Sequence, residues 1–197
     1  MKKIVLSAAA IVFCGSLMAQ DSRASVGLEV AMPMGDWADF YGIGLGGTLG
    51  YEIPVGDNLG VMAQLGYISF SGKDFESSTT VNGVTTTTTV ETDAAGMIPI
   101  QIGAKYYFSE NQEGAYLGAL TGVHMQSVEE VTSINLTTGA IETEKKLKSN
   151  FGIAPVLGFM VTENIDLGLR YQMIFAKDAL DETVTNSYLG LRAAYMF

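Results

Sequence analysis

Hydrophobic and polar residues alternate with a period of two along eight stretches of this chain. In the last, Tyr188 to Phe197, Leu189, Leu191, Ala193, Tyr195 and Phe197 share one parity, and Gly190, Arg192 and Ala194 share the other. The same split recurs in Ala24 to Met32, Gly42 to Ile53, Gly60 to Phe70, Gly96 to Phe108, Ala115 to Gln126, Phe151 to Val161 and Ile165 to Phe175. Ile165, Leu167, Leu169, Tyr171, Met173 and Phe175, for example, oppose Asp166, Gly168, Arg170 and Gln172. Successive side chains of a strand point to opposite faces, so each stretch predicts a strand with one greasy face and one small or polar face. Segments of about ten residues with this period are long enough to cross a bilayer when tilted.

The connections alternate in kind. Those near Pro33 to Tyr41, Ser71 to Ala95, Ser127 to Asn150 and Ala176 to Ser187 are long, whereas Pro54 to Asn58, Ser109 to Gly114 and Thr162 to Asn164 are tight. Long loops outside and short turns inside are the asymmetry of bacterial outer-membrane barrels. Val81-Asn82-Gly83-Val84 is a type I′ hairpin signal beside the Thr85 to Thr89 run, and Leu136 to Ala140 divides Val128 to Asn135 from Ile141 to Lys148. Strands three to six are therefore expected to project beyond the membrane as two polar hairpins. Pro99 and Pro155 fall inside strands, where proline removes a ladder hydrogen bond, and a bulge or register break is expected at each.

Lys2 and Lys3, the apolar run Ile4 to Met18 and the small residue Ala19 before polar Asp21 read as a secretory signal peptide over 1–19, cleaved near Ala19, with a barrel domain over 20–197. A mature chain cut there holds no cysteine, since Cys14 is the only one, so disulfides and thiol chemistry are excluded. Nine basic residues then face 21 acidic ones, which argues against nucleic acid as a partner. The 23 glycines argue against helices. With no later apolar run of helical spanning length, only a closed barrel could cross lipid.

Together these features resemble the small eight-stranded outer-membrane barrels of the OmpX and OmpA transmembrane-domain type, and the outer membrane β-barrel domain proteins of Bacteroidetes. The resemblance rests on the signal peptide, the strand count, the loop asymmetry and the terminal Tyr195-Met196-Phe197. It implies an all-β, eight-stranded antiparallel up-and-down transmembrane β-barrel with a filled polar lumen, in the outer membrane of a Gram-negative cell. Tyr195 and Phe197 are expected to form the C-terminal signal read by the barrel insertion machinery. Because the sequence ends with the barrel, no peptidoglycan-binding domain of the OmpA type is expected.

The polar parity carries Glu29, Glu52, Gln64, Gln101, Lys105, His124, Arg170, Gln172 and Arg192. An eight-stranded barrel is only wide enough for side chains to fill it, so these should pair with one another. Glu29 with Arg192 is the preferred pair, since strands one and eight meet on closure, and Glu52, Lys105 and Arg170 complete a network. Glycines at lumen parity, such as Gly118, Gly158 and Gly168, make room for the long side chains. His124 is the only histidine, so no metal site and no Ser-His-acid catalysis is expected of it; cofactors are expected to be none. Aromatics at strand ends, Tyr51, Tyr106, Phe108, Tyr195 and Phe197 on one side and Tyr41, Phe151 and Phe175 on the other, are expected to form interface belts.

The expected role is non-enzymatic: a monomeric structural or adhesion-like surface protein in contact with outer-membrane lipid and lipopolysaccharide. An extracellular partner would engage loops 71–95 and 127–150. A narrow ion or small-solute channel is the alternative, followed by a lipid-modifying enzyme and a soluble lipocalin-like barrel.

Overall fold

Eight long strands close on themselves in the computed structural model, which describes residues 22–81, 84–90, 93–134, 141–177 and 182–197. They are β1 (Arg23–Met34), β2 (Tyr41–Pro54), β3 (Leu59–Gly72), β6 (Ala95–Tyr107), β7 (Gly114–Ile134), β8 (Ile141–Thr162), β9 (Ile165–Lys177) and β10 (Thr183–Met196). Each pairs antiparallel with the next in chain order, and β1 closes on β10 from Ser25↔Met196 to Met34↔Ser187. Two further strands, β4 (Phe75–Val81) and β5 (Val84–Val90), form a separate two-stranded sheet in the second outer connection. A single helical turn, α1 (Trp37–Phe40), follows β1.

The alternation read from the sequence becomes burial, but inverted with respect to a soluble protein. Leu28 is 75% exposed and Ile102 63%, whereas Glu29, Arg170 and Gln172 are buried inside the barrel. A water-soluble chain does not present a continuous outer wall of leucine, isoleucine and valine. An eight-stranded barrel whose apolar side chains point outwards and whose charges point inwards is built for lipid.

The two outer hairpins differ in construction. β7 and β8 stay paired with each other from Gly114↔Met160 to Ile134↔Ile141, while β6 leaves β7 at Gln126 and β9 leaves β8 at Phe151. Residues 127–134 and 141–150 thus continue the barrel wall as a free-standing ribbon of roughly 25 Å, at about 3.4 Å per residue. β4 and β5 pair only with each other, so the first hairpin is a sheet of its own rather than a prolongation of the strands on either side. Positions 1–21, where the signal peptide is expected, and 82–83, 91–92, 135–140 and 178–181 lie outside the described residues.

The prolines are accommodated without the expected bulge. Between β3 and β6 the pairs Leu65↔Ile100 and Ile68↔Met97 keep one register, and the rungs at Pro99 and Ile98 are open. Between β8 and β9, Ile153↔Met173 and Val156↔Arg170 likewise flank an open stretch at Ala154 and Pro155. Each proline still pairs on its other side, with His124 and Ala119 respectively. The missing N–H therefore opens one side of the ladder locally and shifts nothing.

Candidate functional site

The lumen is filled in layers, beginning at the outer mouth. Trp37, carried in by α1, packs at ring-centroid distances of 4.7 Å from Phe70, 6.0 Å from Tyr41 and 6.2 Å from Tyr188. Ala31, Ile68, Met97 and Ile174 complete this apolar lid. Tyr41 is thus part of the lid rather than of an outer aromatic belt. Phe151 and Phe175 do face outwards and stack at 6.3 Å, and at the other end Tyr106–Phe108 and Tyr195–Phe197 make exposed edge-on pairs.

Beneath the lid lies the first polar layer. Arg170 on β9 grips Glu29 on β1 in bidentate fashion, Nε to Oε1 at 2.7 Å and Nη2 to Oε2 at 2.6 Å. Its Nη1 donates to Gln101 and its Nη2 also donates to the Tyr188 hydroxyl. Gln101 passes a hydrogen bond to Gln172, whose amide donates to the Ile153 and Met173 carbonyls beside the gap left by Pro155. The expected partner of Glu29 was Arg192, and the two do sit opposite each other in the ladder. The ion pair forms elsewhere because Arg170 stands opposite Gly190, which has no side chain to block it, and reaches across β10. A Cβ at Gly190 would lie 2.6 Å from Glu29 Oε1.

Arg192 instead turns towards the periplasmic end. It donates to Thr48, to Ser25 and, at 3.0 Å, to Asp166. Lys105 bridges Asp166 and Glu52, at 2.9 Å to each, and Glu52 also meets Arg23 at 3.2 Å and accepts from the Tyr107 hydroxyl. Tyr116 donates to Asp166 at 2.7 Å. This second layer is a continuous chain, Arg23–Glu52–Lys105–Asp166–Arg192, running across the barrel. Tyr107, Tyr116, Met160 and Met196 pack at its periplasmic side. The Tyr116 ring occupies space that any side chain at Gly158 would overlap.

All nine lumen residues expected from parity are buried, but they do not all join the network. Among the described residues Gln64 Nε2 has no hydrogen-bond partner, and the buried His124 ring, set against Gly152 with Gln172 nearby, has none of good geometry. Several contributors escaped the sequence reading, Arg23, Ser25, Thr48, Tyr116 and Tyr188 among them, and three more show why. Asp166 has lumen parity but opens its strand, where an acidic residue reads as part of the preceding turn; Tyr107 shares the parity of Lys105 inside a run of aromatics. Gln112 lies in a turn, where parity has no meaning, and sits at φ 55°, a left-handed conformation. Its amide oxygen accepts from Arg23 and its nitrogen donates to the Gly56 carbonyl, which ties two inner turns to β1. Among the described residues no group of three or more His, Cys, Asp or Glu side chains is placed to hold a metal.

A closed barrel with a lipid-facing apolar wall, a charged filled interior and short turns at one end is an outer-membrane barrel in class. The sequence matches the family model described as outer membrane protein beta-barrel domain over residues 5–197, and the chain belongs to that family. Its place is the outer membrane. The fold is similar to that of Ail, the attachment invasion locus protein of Yersinia pestis, at TM-score 0.54 and 15% identity over 89% of this chain and 97% of that one. The N-terminal β-barrel domain of Pseudomonas aeruginosa OprF is similar at TM-score 0.54 and 13% identity over 90% and 98%. Ail in complex with the heparin analogue sucrose octasulfate is similar at TM-score 0.51 and 16% identity over 89% and 97%. No curated protein matches the sequence.

Proposed function

We propose that this chain is a structural and surface-interaction protein of the outer membrane, non-enzymatic, with a sealed lumen and its activity in the outer hairpins. The observation that carries this reading is the contrast between the two ends of the molecule. The periplasmic end is tight turns, while the outer end carries a free β7–β8 ribbon and the separate β4–β5 sheet. The lid and the two ion-pair layers fill the lumen with buried side chains, which favours this role over a channel. His124, the one histidine, is fully buried in the lumen and out of reach of a lipid substrate.

β5 reads Val-Thr-Thr-Thr-Thr-Thr-Val, and each strand of the β4–β5 sheet is paired on one side only among the described residues. An edge of that kind accepts an extended strand from another protein, giving affinity through main-chain hydrogen bonds. Ail, which shares the fold, is named for attachment and has been solved with a heparin analogue. The barrel itself contacts lipid and lipopolysaccharide as a monomer, and the outward-facing Tyr195 and Phe197 at the end of β10 serve the insertion machinery. Deleting residues 75–91 is expected to abolish adhesion of cells displaying the chain while the barrel keeps its heat-sensitive mobility on gels. Unchanged adhesion after the deletion contradicts the proposed role of this hairpin.

A further inference from the structure

The β4–β5 hairpin has two free strand edges among the described residues, and they are not alike. β4 reads Phe-Glu-Ser-Ser-Thr-Thr-Val and carries a charge, whereas β5 reads Val-Thr-Thr-Thr-Thr-Thr-Val, with neither charge nor proline. Native sheet edges are blunted by charges, lysine above all, or by proline, because an unguarded edge pairs with other strands. The β7–β8 ribbon follows that rule, with Glu129 and Glu130 on one strand and Lys145, Lys146 and Lys148 on the other. β5 departs from it over its whole length, in residues of high strand propensity.

The order of those residues selects the partner. β5 reads the same in both directions. An antiparallel partner runs backwards along a strand, so a palindromic strand is complementary to a copy of itself. Set about a two-fold axis at Thr87, two β5 edges place Val84 opposite Val90 of the second copy, and threonine opposite threonine between them. This is the isologous contact of a symmetric dimer, in which one surface serves both subunits, and cross-strand threonine pairs favour it. Moving the axis to a neighbouring residue takes each valine away from its valine, so the two ends pin the register. β4 lacks the symmetry, since reversal sets Phe75 against Val81 and Glu76 against Thr80.

Building on the reading of this hairpin as an interaction surface, we propose that its partner is a second copy of the same chain, paired β5 to β5 about Thr87 in a four-stranded antiparallel sheet. Each barrel stays a monomer in its own lipid, and only the hairpins meet. Many copies on one surface multiply a contact that a single seven-residue strand makes weakly.

Cysteine cross-linking of the folded chain in phospholipid vesicles tests the register. Beyond the expected cleavage site the chain has no cysteine of its own. Opposed Cα atoms of an antiparallel pair lie about 4.5–5.5 Å apart, within disulfide reach. Thr87→Cys is therefore expected to give a disulfide-linked dimer under mild oxidation. Thr85→Cys and Thr89→Cys are each expected to give none alone, because either position lies about 14 Å along the strand from its own copy. Mixed in the same vesicles, those two are expected to cross-link to each other. No dimer from Thr87→Cys, or equal dimer from all three variants alone, overturns the proposal; compact mobility on unboiled gels shows that each variant is folded. Adhesion that is lost on deleting residues 75–91, without a Thr87→Cys dimer, overturns self-pairing while leaving the hairpin an interaction surface for a different chain.

Discussion

Replacing Arg170 with Met is expected to destabilise the compact, heat-sensitive state by about 3–5 kcal/mol and to lower its urea midpoint accordingly. The substitution strands the Glu29 carboxylate in a lumen where it is 1% exposed, and removes the donors to Gln101 and Tyr188. Removing one partner of a buried ion pair costs about 3–5 kcal/mol, because the remaining charge has neither water nor counter-ion. Against a total stability of roughly 5–15 kcal/mol this is a large fraction. Glu29→Leu alone is expected to be comparably damaging, since it strands Arg170. The double variant Glu29→Leu/Arg170→Met removes both charges and keeps apolar volume in the layer, so it should recover most of the loss. Urea midpoints of the unboiled gel species give the comparison. Additive losses in the double variant would show that the two residues do not act as a pair.

Leu28→Arg is expected to destabilise the barrel by about 2–4 kcal/mol in lipid, the depth-dependent cost of a cation on the lipid face near the midplane. Leu28 lies at the centre of β1 and is among the most exposed apolar side chains of the wall. The same substitution on the surface of a water-soluble barrel would fall within about 0.5 kcal/mol of neutral. The measurement is the urea midpoint in phospholipid vesicles, compared with that of Thr183→Arg at the outer end of β10. A neutral Leu28→Arg would place the apolar wall in contact with something other than lipid.

Much of this architecture is legible in the sequence because a strand's period of two is exact and a barrel wall separates two solvents of opposite character. Every residue between Ser25 and Ala31 has its face fixed by parity, and the structure keeps those faces. What parity does not contain is direction along the strand. Glu29 and Arg192 are opposite each other as expected, yet the arginine leans towards Asp166 and leaves Glu29 to Arg170. The signal was present in Gly190, a gap in the wall beside Glu29, but using it requires the register of three strands at once. Trp37 and Gln112 were out of reach for another reason. Both lie in connections, where no periodicity assigns a face, and both enter the structure through local turns that the flanking strands do not dictate. The prolines show the limit of a local rule, since an open rung on one side of β6 and of β8 satisfied a constraint for which a bulge was expected.

The barrel is proposed to be sealed, with its function on the outer face. Trp37 with its aromatic neighbours packs at the outer mouth, and the Glu29–Arg170 and Glu52–Lys105–Asp166–Arg192 layers fill the interior. Planar-bilayer recording of the folded chain, checked for compact mobility on an unboiled gel, tests this most directly. The predicted record shows no discrete conductance steps at either polarity. Reproducible steps from that folded material would contradict the sealed lumen and make the protein a channel.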